Sequence, residues 1–170
     1  MKLDEVVGGS IYIDTNVLYM YLRIDPIYLP SVRIFFERVV HGNLEAFVGI
    51  PVMDELFYRL LLSRIKESSG RNPLDVLRED LTKAITIHGP AIEAPLRKLA
   101  ALPHLNLVGL DRMDFYRMLE NINRFSLLPR DALHLAIIQR LEIPGIASDD
   151  LDFDRVETID RHWIINPPER

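Results

Sequence analysis

Apolar and polar positions along this chain change period several times. Ile11-Tyr12-Ile13 is a short apolar run that stops on Asp14, and Val17-Leu18-Tyr19-Met20-Tyr21-Leu22 follows almost at once. The first run reads as a strand over residues 10–14. The second opens a helix that Thr15 or Asn16 can cap and that Asp25-Pro26 breaks. After Pro30-Ser31, the positions Val32, Phe35, Phe36, Val39 and Val40 recur at helical spacing until His41-Gly42-Asn43. Residues 45–50 predict a second strand. Pro51 suits the first turn of the next helix, where its missing N–H is not needed. Val52, Leu56, Leu60 and Leu61 supply that helix with a buried stripe.

Farther on, residues 67–73 read as a loop, followed by helices over 74–85 and 91–101 that Gly89-Pro90 separates. Residues 104–110 form the third strand, and Asp111-Arg112 opens a helix to about Asn123. Another helix starts near Pro129 and ends before Pro144-Gly145. Residues 145–148 make the fourth strand, with a fifth at 156–159. Trp163 packs on the body before the tail frays. Short strands separated by helices, without hairpin signals, indicate an α/β fold with a parallel sheet and right-handed crossovers. The length fits a single domain over residues 1–170, with a helical elaboration at about 65–103.

Composition narrows the chemistry. With 170 residues, 48% of them hydrophobic, a packed core is available. The absence of cysteine excludes disulfides, thiolate metal ligands and a thiol nucleophile. No apolar run approaches the ~18 residues of a membrane span, and no export segment is evident, so the expected location is cytoplasmic. The net charge of -5 excludes a uniformly basic nucleic-acid module. It does not exclude a nuclease, because bound metal would neutralise several acids.

Four acidic positions share a setting. Asp14 ends a strand, and Glu55 lies near the start of the helix after strand two. Asp131 lies in the first turn of the helix begun by Pro129, and Ser148-Asp149-Asp150-Leu151-Asp152-Phe153 follows strand four. In a parallel sheet these ends face one crevice. Uncompensated, the carboxylates would repel and take up protons. Mg²⁺ or Mn²⁺, with oxygen ligands, removes that conflict and serves phosphoryl-transfer chemistry. Asp14, Glu55 and Asp131 are the candidate ligands, with Asp149 or Asp150 completing the set. Asn16, Ser148 and Thr15 are candidates to hydrogen-bond those carboxylates. Arg130, Arg124 and Arg155 are candidate phosphate contacts.

Each residue also has an ordinary reading. Asp14 can cap a helix, and Glu55 and Asp131 suit helix starts. Asp152 fits a solvated turn and His134 a buried core histidine. The arginines fit a solvated face. Only the joint placement separates the two sets of readings.

Those same pieces (Ile13-Asp14-Thr15-Asn16-Val17-Leu18, Asp54-Glu55-Leu56, Asp131-Ala132-Leu133-His134-Leu135-Ala136 and the segment from Ser148 to Phe153) resemble the PIN-domain family. Its compact form includes the toxin ribonucleases of the VapBC type. The resemblance implies a three-layer α/β/α sandwich with a central, mostly parallel sheet of four or five strands. It implies endoribonuclease activity with Mg²⁺ or Mn²⁺, carried by Asp14, Glu55, Asp131 and Asp150, with Ser148 as the hydroxyl of the last motif. It further implies RNA as substrate, homodimerisation and, for toxin members, a small antitoxin partner. The chain departs from the compact toxin pattern by extra length between Glu55 and the third strand. The competing expectation is a non-catalytic PIN-like domain that binds RNA or another protein. An acid-pocket phosphatase is disfavoured, because no second aspartate stands two positions after Asp14.

Overall fold

The computed structural model describes residues 2–24 and 27–163. Five strands form one sheet, with every pairing parallel: β1 Ser10–Ile13, β2 Glu45–Gly49, β3 Leu105–Val108, β4 Gly145–Ala147 and β5 Asp160–His162. Their order across the sheet is β3-β2-β1-β4-β5. Ile11, Tyr12 and Ile13 are all buried, which is the signature of a central strand covered on both faces.

The connections set the layers. From β1 the chain runs outward through α1 Thr15–Arg23 and α2 Leu29–Val40 to β2. It continues through α3 Ile50–Ser69, α4 Pro73–Glu79 and α5 Leu81–Ala100 to β3. From there α6 Arg112–Phe125 and α7 Pro129–Arg140 carry it back across the sheet to β4. Right-handed crossovers put α1–α5 on one face and α6–α7 on the other. The packing agrees: α3 lies against α1 and α5, and α6 against α7. The result is a three-layer α/β/α sandwich. The direction of travel reverses between β1 and β4, so the crevice beyond their C-terminal ends is the binding position of such a sheet. Asp14 follows one of those strands and Ser148 the other. Among the described residues no helix is long and apolar enough to cross a membrane.

Several local expectations are corrected. Asp14, rather than Thr15 or Asn16, is the N-cap of α1. Glu55 stands in the second turn of α3, because that helix already begins at Ile50. The loop expected over 67–73 shrinks to Gly70–Asn72, since α3 runs on until Gly70 adopts a left-handed φ of 67°. Asp80 accepts from the Lys83 N–H and so divides the expected 74–85 helix into α4 and the start of α5.

α5 then passes unbroken through Gly89-Pro90 and Pro95. Each internal proline costs about 3 kcal/mol of helix propensity. Burial of Ala84, Ile92 and Leu99 offsets that cost as α5 packs on α3. Gly89, lacking a Cβ, also spares Pro90 the usual clash with its predecessor. The fifth strand is Asp160–His162 rather than 156–159. Val156 is buried in a small cluster with Leu127, Ala132 and Leu135, so its apolar signal reflects packing and not strand pairing. Trp163 packs against the core through Tyr28, as expected. The expected break at Asp25-Pro26 and the tail beyond Trp163 lie outside the described residues.

One buried polar contact crosses the layers beneath the crevice. The Tyr12 hydroxyl lies 2.9 Å from His134 Nδ1, and both side chains are buried. Burial, and then the charge of Asp14, raises the Tyr12 pKa; burial lowers that of His134. Tyr12 therefore keeps its proton, and His134 stays neutral. Gly49 makes room for this contact, because a Cβ there would overlap the Tyr12 hydroxyl and press on Ile137. Gly49→Ala is expected to cost about 1–3 kcal/mol by overpacking. A lower urea midpoint at unchanged m would show it; a wild-type midpoint would mean that the core yields freely.

Candidate active site

Asp14 occupies the reversal point of the sheet. Its backbone N–H extends the ladder to the Ala147 carbonyl at 3.0 Å, which fixes where its side chain emerges. Only 8% exposed, it is satisfied on both oxygens: Oδ1 accepts from the Thr15 N–H at 2.7 Å and Oδ2 from the Ser148 hydroxyl at 2.6 Å. The helix-cap reading and the site reading thus describe one geometry. Ser148 Oγ in turn accepts from the Asp150 N–H at 3.0 Å, so the hydroxyl ties the post-β4 turn to Asp14.

Two groups of partners flank this anchor. On the α3 side, the Thr15 hydroxyl donates to Glu55 Oε2 at 3.2 Å, and the Arg130 guanidinium pairs with the same oxygen at 3.0 Å. Asn16 donates from its amide nitrogen to Asp149, while its amide oxygen accepts from Arg59 Nη1 at 2.7 Å. Arg59 was not among the sequence candidates. Its signal was available, since Glu55 and Arg59 are four residues apart on one helix and therefore share a face.

On the α7 side, Asp131 is half-buried, and no hydrogen bond or ion pair to its carboxylate occurs among the described residues. Its pKa is pushed up to about 6, first by burial and then by the charges of Asp150, Asp14, Asp152 and Glu55. Asp131 thus faces the other acids, and Asp150 is the charge it feels most. Asp149 is also raised, by burial and then by Asp14, while Arg59 opposes the shift. The two neighbours diverge: Asp149 accepts from Asn16, whereas Asp150 lines the same groove as Asp131. Asp150 additionally caps the short 3₁₀ turn Leu151–Arg155 by accepting from the Asp152 N–H.

The remaining candidates separate clearly. His134 is the buried core histidine of its ordinary reading. Asp152 is paired with Arg155, which also donates to the Ser126 carbonyl. Arg124 lies over the Phe125 ring. Of the three arginines singled out in the sequence, Arg130 is the one whose charge rests on a site carboxylate.

The set of donors is entirely oxygen, the chemistry that suits Mg²⁺ or Mn²⁺ over softer ions. Among the described residues no three acidic or histidine side chains stand in the arrangement of a ready-made metal site. The reason is visible in the contacts: Glu55 is drawn onto Arg130 and Thr15, and Asp149 onto Asn16. A groove of about 910 Å³ opens beside the acids, with Asp131, Asp150 and Arg130 on one wall and Ile50, Leu110 and Leu128 on another.

The family model described as the PIN domain matches residues 11–159. No curated protein matches the chain in sequence. Similar solved structures include VapBC2 from Rickettsia felis bound to a DNA fragment from their promoter, 13% identical over 91% of this chain and 98% of that one, with a TM-score of 0.61. A toxin–antitoxin complex from Klebsiella pneumoniae is 12% identical over 91% and 99%, with a TM-score of 0.57. Mycobacterium tuberculosis VapC20, a sarcin–ricin loop cleaving toxin, is 13% identical over 88% and 97%, with a TM-score of 0.55. At such identities the likeness is one of fold.

Proposed function

The chain belongs to the PIN-domain family, and from that premise we propose that it is a Mg²⁺- or Mn²⁺-dependent endoribonuclease that hydrolyses RNA phosphodiester bonds. The observation that carries the reading is the half-buried Asp131 carboxyl, pushed up to about 6 by burial first and then by Asp150, Asp14, Asp152 and Glu55, which come from three separate stretches of the chain. A fold tolerates such repulsion at a place where a cation is to be received. RNA as substrate draws support from VapC20, described as cleaving the sarcin–ricin loop.

In this reading Asp14, Glu55 and Asp131 hold the cation, with Asp150 the fourth acid and Asp149 beside it. The bound ion supplies charge neutralisation and Lewis acidity for the phosphodiester. Asp14 is held in place by Thr15 and Ser148. Asn16, oriented by Arg59, fixes Asp149. Arg130 neutralises Glu55, and with a cation held there its guanidinium would be available to a substrate phosphate. The reading includes a single domain working in the cytoplasm as a homodimer, with a small antitoxin as partner. The toxin–antitoxin complexes among similar structures support that partner.

Incubation of the purified chain with a mixed RNA pool tests the proposal. Cleavage with Mn²⁺ or Mg²⁺ that stops on chelation is the expected result. The Arg130–Glu55 pair favours a second reading, a non-catalytic PIN-like module that binds RNA or protein. Intact RNA in the presence of metal and folded protein would select that second reading.

A further inference from the structure

A second recess opens at Arg59, the partner of Asn16. It is a shallow cleft of about 400 Å³ between α1 and α3, lined by Tyr19, Arg59, Leu62, Ser63, Lys66 and Glu67. That volume falls within the ~300–1,000 Å³ typical of small-ligand sites. Resting on the ribonuclease reading, we propose that this cleft binds the single-stranded RNA segment flanking the scissile phosphodiester, with the Tyr19-backed Arg59 guanidinium and Lys66 as its contacts.

Charge is the first argument. A polyanion brought to a cluster of carboxylates needs cations beside that cluster. Most arginines around the acids are already committed to carboxylates: Arg130 to Glu55, Arg155 to Asp152 and Arg161 to Asp154. Arg59 has no carboxylate partner among the described residues; its one hydrogen bond there, from Nη1, goes to the neutral Asn16 amide. The rest of its fork remains for a phosphate, which it can meet in bidentate fashion. Lys66 adds a second positive charge, and its Nζ rests on the Gly70 carbonyl. Glu67 is the one acid of the lining and is neutralised by Arg23.

Shape is the second argument. The Arg59 guanidinium lies 4.9 Å from the centre of the Tyr19 ring. The guanidinium thus lies over the ring, and a guanidinium plane backed by an aromatic ring is a surface on which an unpaired base stacks, without regard to its identity. The recess joins the acids directly, because Arg59 holds Asn16 and Asn16 holds Asp149. A strand leaving the acidic centre past Asn16 therefore meets Arg59 first and Lys66 farther along α3. An acidic protein segment would satisfy the charges but leave the stacking surface unused.

Binding of a short, fluorescently labelled single-stranded RNA to the full chain carrying Asp14→Asn tests this without cleavage. Adding Arg59→Gln should weaken binding about tenfold and reduce the slope of log Kd against log salt by about 0.7, the value for one lost single-strand phosphate contact. Lys66→Glu, at an exposed position where folding is not at risk, should weaken binding as well. Tyr19→Leu should weaken it with the salt slope unchanged. Unaltered affinity in both the Arg59 and Lys66 variants would overturn the proposal. Displacement by a polyglutamate peptide from a protein that does not bind the RNA would also overturn it, in favour of an acidic protein partner. The ribonuclease reading is judged separately, by wild-type cleavage of the same RNA with Mn²⁺; an uncleaved but Arg59-dependent complex would sink that reading and leave the cleft standing.

Discussion

Asp14→Asn protein is expected to fold as the wild type does and to lose RNA cleavage by about 10³-fold. The two halves of that expectation have separate causes. Asparagine caps a helix about as well as aspartate, so the bond from the Thr15 N–H survives. The amide can also keep a hydrogen bond with Ser148, whose hydroxyl oxygen accepts as well as donates. Stability should therefore change by no more than about 1 kcal/mol. What disappears is the negative charge at the point where the sheet reverses direction, between the Glu55 side of the site and the Asp131 side. Initial rates on a mixed RNA pool with Mn²⁺, measured beside a thermal melt of each protein, separate the two effects. Cleavage near the wild-type rate in the Asn variant would remove Asp14 from the chemistry.

Asp131→Asn should behave in an opposite way in the two assays: cleavage is lost, and the metal-free protein becomes more stable. The folded-state pKa of Asp131 is raised from 3.8 to about 6, by burial first and then by Asp150, Asp14, Asp152 and Glu55. Between those two values the folded chain binds more protons at this site than the unfolded chain does. Stability therefore falls as pH rises through that window, and the full penalty of the ionised group is present above it. Because the side chain is only half-buried, the gain at neutral pH is discounted for solvent screening to about 1 kcal/mol. Denaturation in chelator from pH 4 to pH 8 would show the variant and wild type converging at the acidic end, separating up to about pH 6 and keeping a constant gap above it. Parallel curves across the whole range would mean that the acids do not burden Asp131. Adding Mn²⁺ should stabilise the wild type more than the variant, since only a ligand that binds the folded chain raises its stability.

How legible the molecule was depends on how local each signal is. β1 to β4 followed from short apolar runs, α2 and α3 from helical spacing, and α1, α6 and α7 from the residues that open and end them. The expectations failed where a distant contact overrode a local rule. Gly89-Pro90 is a strong breaker in isolation, yet α5 continues because its stripe of Ala84, Ile92 and Leu99 is buried. Val156 and Ile159 carried a strand pattern, but the neighbouring polar segment Asp160–His162 pairs with β4 instead. In the site, the acids were visible as residues following strands or opening helices. Arg59 was legible only as a residue on the Glu55 face of α3, and the Tyr12–His134 contact not at all, because their partners lie 43 and 122 residues away.

The sequence by itself determined the order of strands and helices, and with it that Asp14 and the Ser148–Asp150 turn share one edge of a parallel sheet with the helix acids Glu55 and Asp131. Strand ends and helix starts have nowhere else to go in that topology. Only the tertiary structure decided how those carboxylates stand toward one another: Asp14 satisfied on both oxygens, Glu55 drawn to Arg130, Asp149 bonded to Asn16, and Asp131 half-buried among the acids without a hydrogen-bond or ion-pair partner among the described residues. The physical reason is that hydrogen bonds and carboxylate repulsion depend on ångström-scale separations between side chains from different elements. Periodicity along a chain places a residue on a face, but it does not set those separations.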